Sequence, residues 1–136
     1  MAIGRAIFEI LSQDVQVDGL VDQRIYPNKI DYDSTNMPAI VYTIIDNRPT
    51  NTKTSVSQLD ETFVLISCFA DTYARVVDLS NKVREAFDPY YAIDISISTN
   101  KVQSISFEDF EDQFDDSYGQ YGINYRQLKY KFRIKR

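Results

Sequence analysis

Six carboxylates fall within nine residues of the chain: Glu108, Asp109, Glu111, Asp112, Asp115 and Asp116. Oxygen ligands at that density suit a hard cation, and paired carboxylates suit general acid–base work. The run lacks the alternating ligand spacing and the internal glycine of a calcium loop. A catalytic pair also needs a pocket that holds its two pKa values apart, and none can be read from these residues. The plainer reading is an acidic edge facing solvent or another protein. A small carboxylate-dependent hydrolase is the enzymatic alternative.

The rest of the catalytic repertoire is missing. The chain has no histidine, which removes Ser-His-Asp and Cys-His arrangements and the usual zinc sites. Its four glycines, at positions 4, 19, 119 and 122, form no phosphate-cradling loop. The one cysteine, Cys68, sits in an apolar stretch and reads as a small core hydrophobe, with no partner for an internal disulfide. No catalytic residue, metal or cofactor is therefore expected, and the chain reads as a non-enzyme.

A second charged pattern sits at the C-terminal end. Lys129, Lys131, Arg133 and Lys135 alternate with Leu128, Tyr130, Phe132 and Ile134, the period of a strand with one wet face. Phosphate binding is one use for such a stripe; discouraging unwanted edge pairing is another. An antiparallel hairpin between residues 102–112 and 123–135 would bring the basic stripe near the acidic run. Opposite charges could then meet across strands or across a subunit boundary. Glu108, Asp109, Glu111, Asp112, Lys129, Lys131 and Arg133 are accordingly the candidates for an inter-subunit contact.

These residues need a scaffold, and its centre is Glu61 to Phe87. Phe63-Val64-Leu65-Ile66 is apolar on both alternating faces, which predicts a central strand covered on both sides. Asp71 offers a helix N-cap, and Tyr73, Val76, Val77, Leu79, Val83, Ala86 and Phe87 then recur at helical spacing until Pro89. Asp78 and Lys82 are spaced for an ion pair on the outer side. Upstream, Ala2, Ile3, Ala6, Ile7, Ile10 and Leu11 share one helical face, so a first helix spans about residues 2–13. Val15 to Val21 reads as a short helical turn, and Arg24 to Pro27 as a brief extended segment. Ala39 to Ile45 is β-branched and aromatic, a strong strand signal. Ile93, Ile95 and Ile97 alternate with polar residues as a half-buried strand. The fold class expected is α+β: a mainly antiparallel sheet of four or five strands with two helices packed on it, in a single domain over residues 1–136.

Between the strand from Ala39 and the strand through Phe63 lies Thr50, Asn51, Thr52, Lys53, Thr54, Ser55, Val56, Ser57 and Gln58. A polar connection of this length in a small domain is more often functional than passive. Apolar runs are only strand-length, so no membrane span is expected. The net charge of −5 weighs against gripping nucleic acid through phosphates. It is compatible with enclosing DNA without adhering to it.

Several phrases, in order, resemble those of the tail terminator, or tail-to-head joining, proteins of long-tailed bacteriophages, the tail completion family. They are Leu20-Val21-Asp22-Gln23-Arg24-Ile25-Tyr26-Pro27, the proline-led Met37-Pro38-Ala39-Ile40-Val41-Tyr42, the strand-to-helix junction Ile66 to Ala74, and the acidic, aromatic Phe107 to Asp112 with the closing strand. The family has no catalytic residues to carry over. The resemblance implies a structural virion protein, assembled in the host cytoplasm, that forms a hexameric ring at the tail–head junction. Such a ring caps the tail tube, joins the tail to the head connector, and lets DNA pass without specific binding. On this reading Thr50 to Gln58 faces the tube or the head. A neck adaptor or stopper on the portal side is the alternative within the virion.

Overall fold

In a computed structural model, residues 3–29, 37–49, 59–91, 95–97, 100–116 and 122–135 are described. Three α-helices pack on one six-stranded sheet: α1 Ile3–Gln13, α2 Val15–Val21, β1 Ile25–Pro27, β2 Ala39–Pro49, β3 Leu59–Ala70, α3 Tyr73–Phe87, β4 Ile95–Ile97, β5 Asn100–Asp115 and β6 Ile123–Lys135. The strand order is β1-β2-β3-β6-β5-β4. Only the β1–β2 pair is parallel; the other four are antiparallel. The expected α+β class with a mainly antiparallel sheet is what the chain adopts. The extra strand and extra helix are short pieces, three and seven residues long, in segments whose sequence hinted at extended and helical turns.

The helices are set by caps and by one apolar stripe each. Ile3, Ala6, Ile7, Ile10 and Leu11 are buried in α1, while Arg5 and Glu9 pair at 3.5 Å on its outer side. Asp14 caps α2, its carboxylate accepting from the backbone N–H groups of Gln16 and Val17 at 3.1 and 3.0 Å. For α3 the cap is Thr72, whose hydroxyl accepts from the N–H of Arg75 at 3.3 Å. Asp71, the expected cap, lies one residue too early and instead binds the Arg75 guanidinium at 2.9 Å. That hydrogen bond, with the neighbouring positive charge, holds the Asp71 carboxyl below the usual carboxylate range. Lys82 pairs with Glu85 at 3.7 Å rather than with the expected Asp78.

The core lies between the helices and one face of the sheet. Ile7, Leu11, Leu79, Val83 and Phe87 meet Ile40, Val64, Ile66, Leu128, Tyr130 and Phe132 there, and Phe87 packs its ring on Tyr130 and Phe132. Each such side chain contributes about 2 kcal/mol on burial. Cys68 is in this layer, and burial pushes its thiol up to about 12. The expectation that Phe63 to Ile66 is covered on both sides is only half met. Val64 and Ile66 are fully buried, but Phe63 and Leu65 are half-buried on the opposite face. That face carries only a small apolar cluster, Val41, Phe69 and Ile123, with Tyr125 stacked on Phe69 at 4.7 Å. Among the described residues the sheet therefore has one covered face and one open face.

Candidate functional site

Two bulges and a hairpin place the acidic run. β5 and β6 pair antiparallel from Lys101↔Lys135 to Asp115↔Ile123, as the sequence predicts for 102–112 and 123–135, but three residues further along β5. Irregularities between Val102 and Ser104 and between Phe107 and Asp109 shift which side chains share a face. The outcome is that the carboxylates divide. Asp109 and Glu111, opposite Lys129 and Gln127, lie on the open face, while Asp112, opposite Arg126, lies on the helix side.

On the open face the basic stripe and the acidic run do meet. Glu108 and Lys131 pair at 3.7 Å, and Lys129 stands across the ladder from Asp109 with its Nζ 5.2 Å from the centre of the Phe63 ring. Arg133 is opposite Ser104, and its buried Nε finds no hydrogen-bond partner among the described residues. Both ion-paired groups in the Glu108–Lys131 pair keep about a third of their side chain exposed, so that pair adds little stability, roughly 0–1 kcal/mol.

On the helix side the geometry is tighter. Arg126 Nε donates to Asp112 Oδ1 at 2.6 Å and its Nη2 to Asp112 Oδ2 at 3.2 Å, a forked pair. Its Nη1 donates to the Ser80 hydroxyl and its Nη2 to Tyr73 Oη, both at 3.2 Å, and Tyr73 donates on to Asp112 at 3.0 Å. The guanidinium also lies 4.4 Å from the centre of the Phe110 ring. Arg126 is only 12% exposed, so this network pins the N-terminal end of α3 to the hairpin. The hydrogen bond from Arg126 holds the Asp112 carboxyl below the usual range, and the Asp112 carboxylate pushes Arg126 up. Asp112 is thus kept ionised, the opposite of what a general acid requires.

Sequence reasoning named Asp112 but missed Arg126 and Tyr73. Arg126 interrupts no pattern and sits one step before the alternating stripe. Tyr73 was read as part of the buried helix face, yet it is 53% exposed. The signal that was available is Ser80, a polar residue in the apolar stripe of α3, which is buried and bonded to Arg126.

Around the network lies an aromatic surface. Phe110 and Phe114 on β5 are 47% and 57% exposed, which is unusual for phenylalanine in a folded chain. Among the described residues no group of acidic or sulfur side chains could hold a metal ion, and no helix is long and apolar enough to cross a membrane. A shallow depression of about 290 Å³ on the open face is lined by Lys29, Val41, Ser67, Phe69, Tyr125 and Gln127 among others, and holds no carboxylate pair. The other candidate segment, Thr50 to Gln58, is outside the described residues.

The family model described as "Tail completion protein gp17" matches residues 5–124 of the 136. The chain belongs to the tail completion protein family. Its role is accordingly that of a structural protein of the bacteriophage tail. A search of curated protein sequences finds no match. Among solved structures the chain is similar to one from the "Virion of native gene transfer agent (GTA) particle". The likeness has a TM-score of 0.67 at 13% identity and covers 96% of this chain and 92% of that one. At that identity it shows the fold alone: the two chains share one sheet-and-helix arrangement over nearly their whole length.

Proposed function

We propose that the chain assembles as a ring, hexameric as the resemblance implies, that caps the tail tube and joins the tail to the head connector at the tail–head junction. Family membership supports the tail role. The observation that carries the ring is the outer edge of β5. Only Asn100 to Val102 is paired, with β4; from Ser104 to Asp115 no described strand covers it, and Phe110 and Phe114 are left half in solvent. A long free edge bearing exposed aromatics is a liability for a chain that works alone and an asset for one that works in an assembly. Glu108, Asp109, Glu111 and Asp112, with Lys129, Lys131 and Arg133 behind them, then lie at or near the subunit boundary. The chain acts without catalysis or cofactor, in keeping with an ionised, arginine-bound Asp112.

The register also separates two ends of the sheet. Leu59, Lys135 and Lys101 share one end, where the Thr50–Gln58 connection begins and finishes, whereas Ala70, Asn124 and Phe114 share the other. A ring whose two rims meet different partners, tube on one side and head on the other, suits that polarity, with Thr50 to Gln58 at one rim. The net charge of −5 lets DNA slide through such a ring without adhering.

Deleting Thr50–Gln58 tests this reading. The expected result is a folded protein whose phage makes tails of irregular length that do not join heads. Normal-length, joined tails would overturn it. Light scattering with and without the tail tube protein supplies the second arm. A chain that ignores tube ends but binds the head connector would belong to the neck instead.

A further inference from the structure

The free edge of β5 needs a counterpart, and the sheet supplies one on its other side. β1 pairs only Ile40 to Tyr42 of β2, so from Thr43 to Pro49 the outer edge of β2 is unpaired among the described residues. Ile44, Ile45 and the Arg48 side chain on that stretch are 45%, 44% and 68% exposed. We propose that the occupant of the β5 edge is the β2 edge of a second copy of this chain, residues 110–115 pairing antiparallel with residues 43–49 so that the sheet continues from one subunit to the next. This rests on the assembly reading above and specifies the contact that reading needs.

Four features favour this match. Polarity is the first. β2 and β5 run in opposite directions within the sheet, so a copy set alongside in the same orientation presents them antiparallel. Length is the second. Phe110 to Asp115 on β5 offers six ladder positions, and Thr43 to Pro49 on β2, with Ile45 taken up by its bulge, offers six as well. In that register β5 stops beside Pro27, the last residue of the neighbour's β1, and β4, beside residues 100–102, stays clear.

Side-chain chemistry is the third. Ile44 and Phe114 both lie on the helix side of the sheet, by their ladders to Val64 and, through Asn124, to Ala70. Opposed, two half-exposed apolar side chains leave water together. The β2 bulge between Ile44 and Asp46 adds one residue, which brings Arg48 opposite Glu111 on the open face and Asp46 opposite Gln113. The arginine, already paired with Asp46 at 2.6 Å in its own strand, gains a second carboxylate, and the aspartate meets an uncharged residue of the acidic run. Fourth, one edge meets a different edge, so each subunit keeps one of each to offer the next. That is a heterologous contact, which propagates until a rotation closes it.

Disulfide trapping tests the register. Cα atoms opposed in an antiparallel pair are roughly 4.5–5.5 Å apart, within the span a disulfide bridges. Cys68 is fully buried and will not compete. The full-length Ile44→Cys/Phe114→Cys chain, oxidised with glutathione disulfide, is expected to give a ladder of covalent multimers. Mixing the two single variants should give 44–114 heterodimers identified by mass spectrometry. Arg48→Glu should weaken association on the order of fivefold, and Glu111→Arg in the same chain should restore it. Circular dichroism confirms that these surface variants fold. If scattering shows multimers but neither the 44–114 link nor the charge rescue appears, the edge pairing is wrong and the ring is built from another surface. If no multimer forms with or without the tube, both the pairing and the ring reading fall.

Discussion

Replacing Arg126 with methionine keeps the apolar stem and removes the guanidinium. Four hydrogen bonds go with it: two to Asp112, one to Ser80 and one to Tyr73, together with the stack on Phe110. An exposed ion pair contributes about 0–1 kcal/mol, and breaking a buried one costs about 3–5 kcal/mol. Arg126 is 12% exposed but Asp112 is 37%, so water takes over part of the lost solvation of the carboxylate. The expected loss is therefore intermediate, about 2 kcal/mol, or a melting temperature lower by roughly 5–8 °C for a domain of this size. Urea unfolding of wild type, Arg126→Met, Asp112→Asn and the double variant forms the appropriate cycle, with an expected coupling of about 1 kcal/mol. The pH dependence has a definite sign. The folded Asp112 pKa is depressed, so its contribution is present above the ordinary carboxylate pKa and is lost as pH falls through the lower folded value. Wild type should lose its advantage over Arg126→Met below about pH 4. A variant within about 0.5 kcal/mol of wild type at pH 7, or a coupling near zero, would refute the role assigned to this network.

Two further perturbations probe the core beneath the site. Phe132→Ala empties a fully buried position against Phe87 and should cost about 3–5 kcal/mol by calorimetry or urea titration, with a loss under about 1 kcal/mol contradicting the packing. Cys68 should not react with a thiol reagent in the native protein at pH 8, because it is fully buried and its thiol is pushed up to about 12; stoichiometric reaction before unfolding would show that the layer opens.

Much of the fold was legible because it depends on local periodicity. The alternation of Leu128 to Lys135 announced β6, the helical spacing of Val76 to Phe87 announced α3, and β-branched Ala39 to Ile45 announced β2. The antiparallel β2–β3 and β5–β6 pairs followed from the connections between them, whereas the central β3–β6 pair joins strands distant in the chain and was not legible. The errors arose where two local rules competed. Asp71 and Thr72 are both good caps, and the backbone at Thr72, extended at φ −125° and ψ 153°, decided between them. Asp78 and Glu85 both lie within reach of Lys82 on the helix, and the shorter step toward the C-terminus won.

The candidate surface was legible in composition and not in arrangement. By itself the sequence determined that this is a histidine-free, acidic α+β chain with an acidic and a basic stretch on adjacent strands, since residue type and period suffice for that. Only the tertiary structure decided which carboxylate matters. A bulge near Glu108 turned Asp112 toward the helix side, where Arg126, Tyr73 and Ser80 converge from 14, 39 and 32 positions away in the chain. It likewise decided that, among the described residues, one sheet face stays open and β2 and β5 have outer edges that no strand covers. Coverage depends on where α1, α2 and α3 run out and on how short β1 and β4 are, and neither limit is written in the period of any one strand.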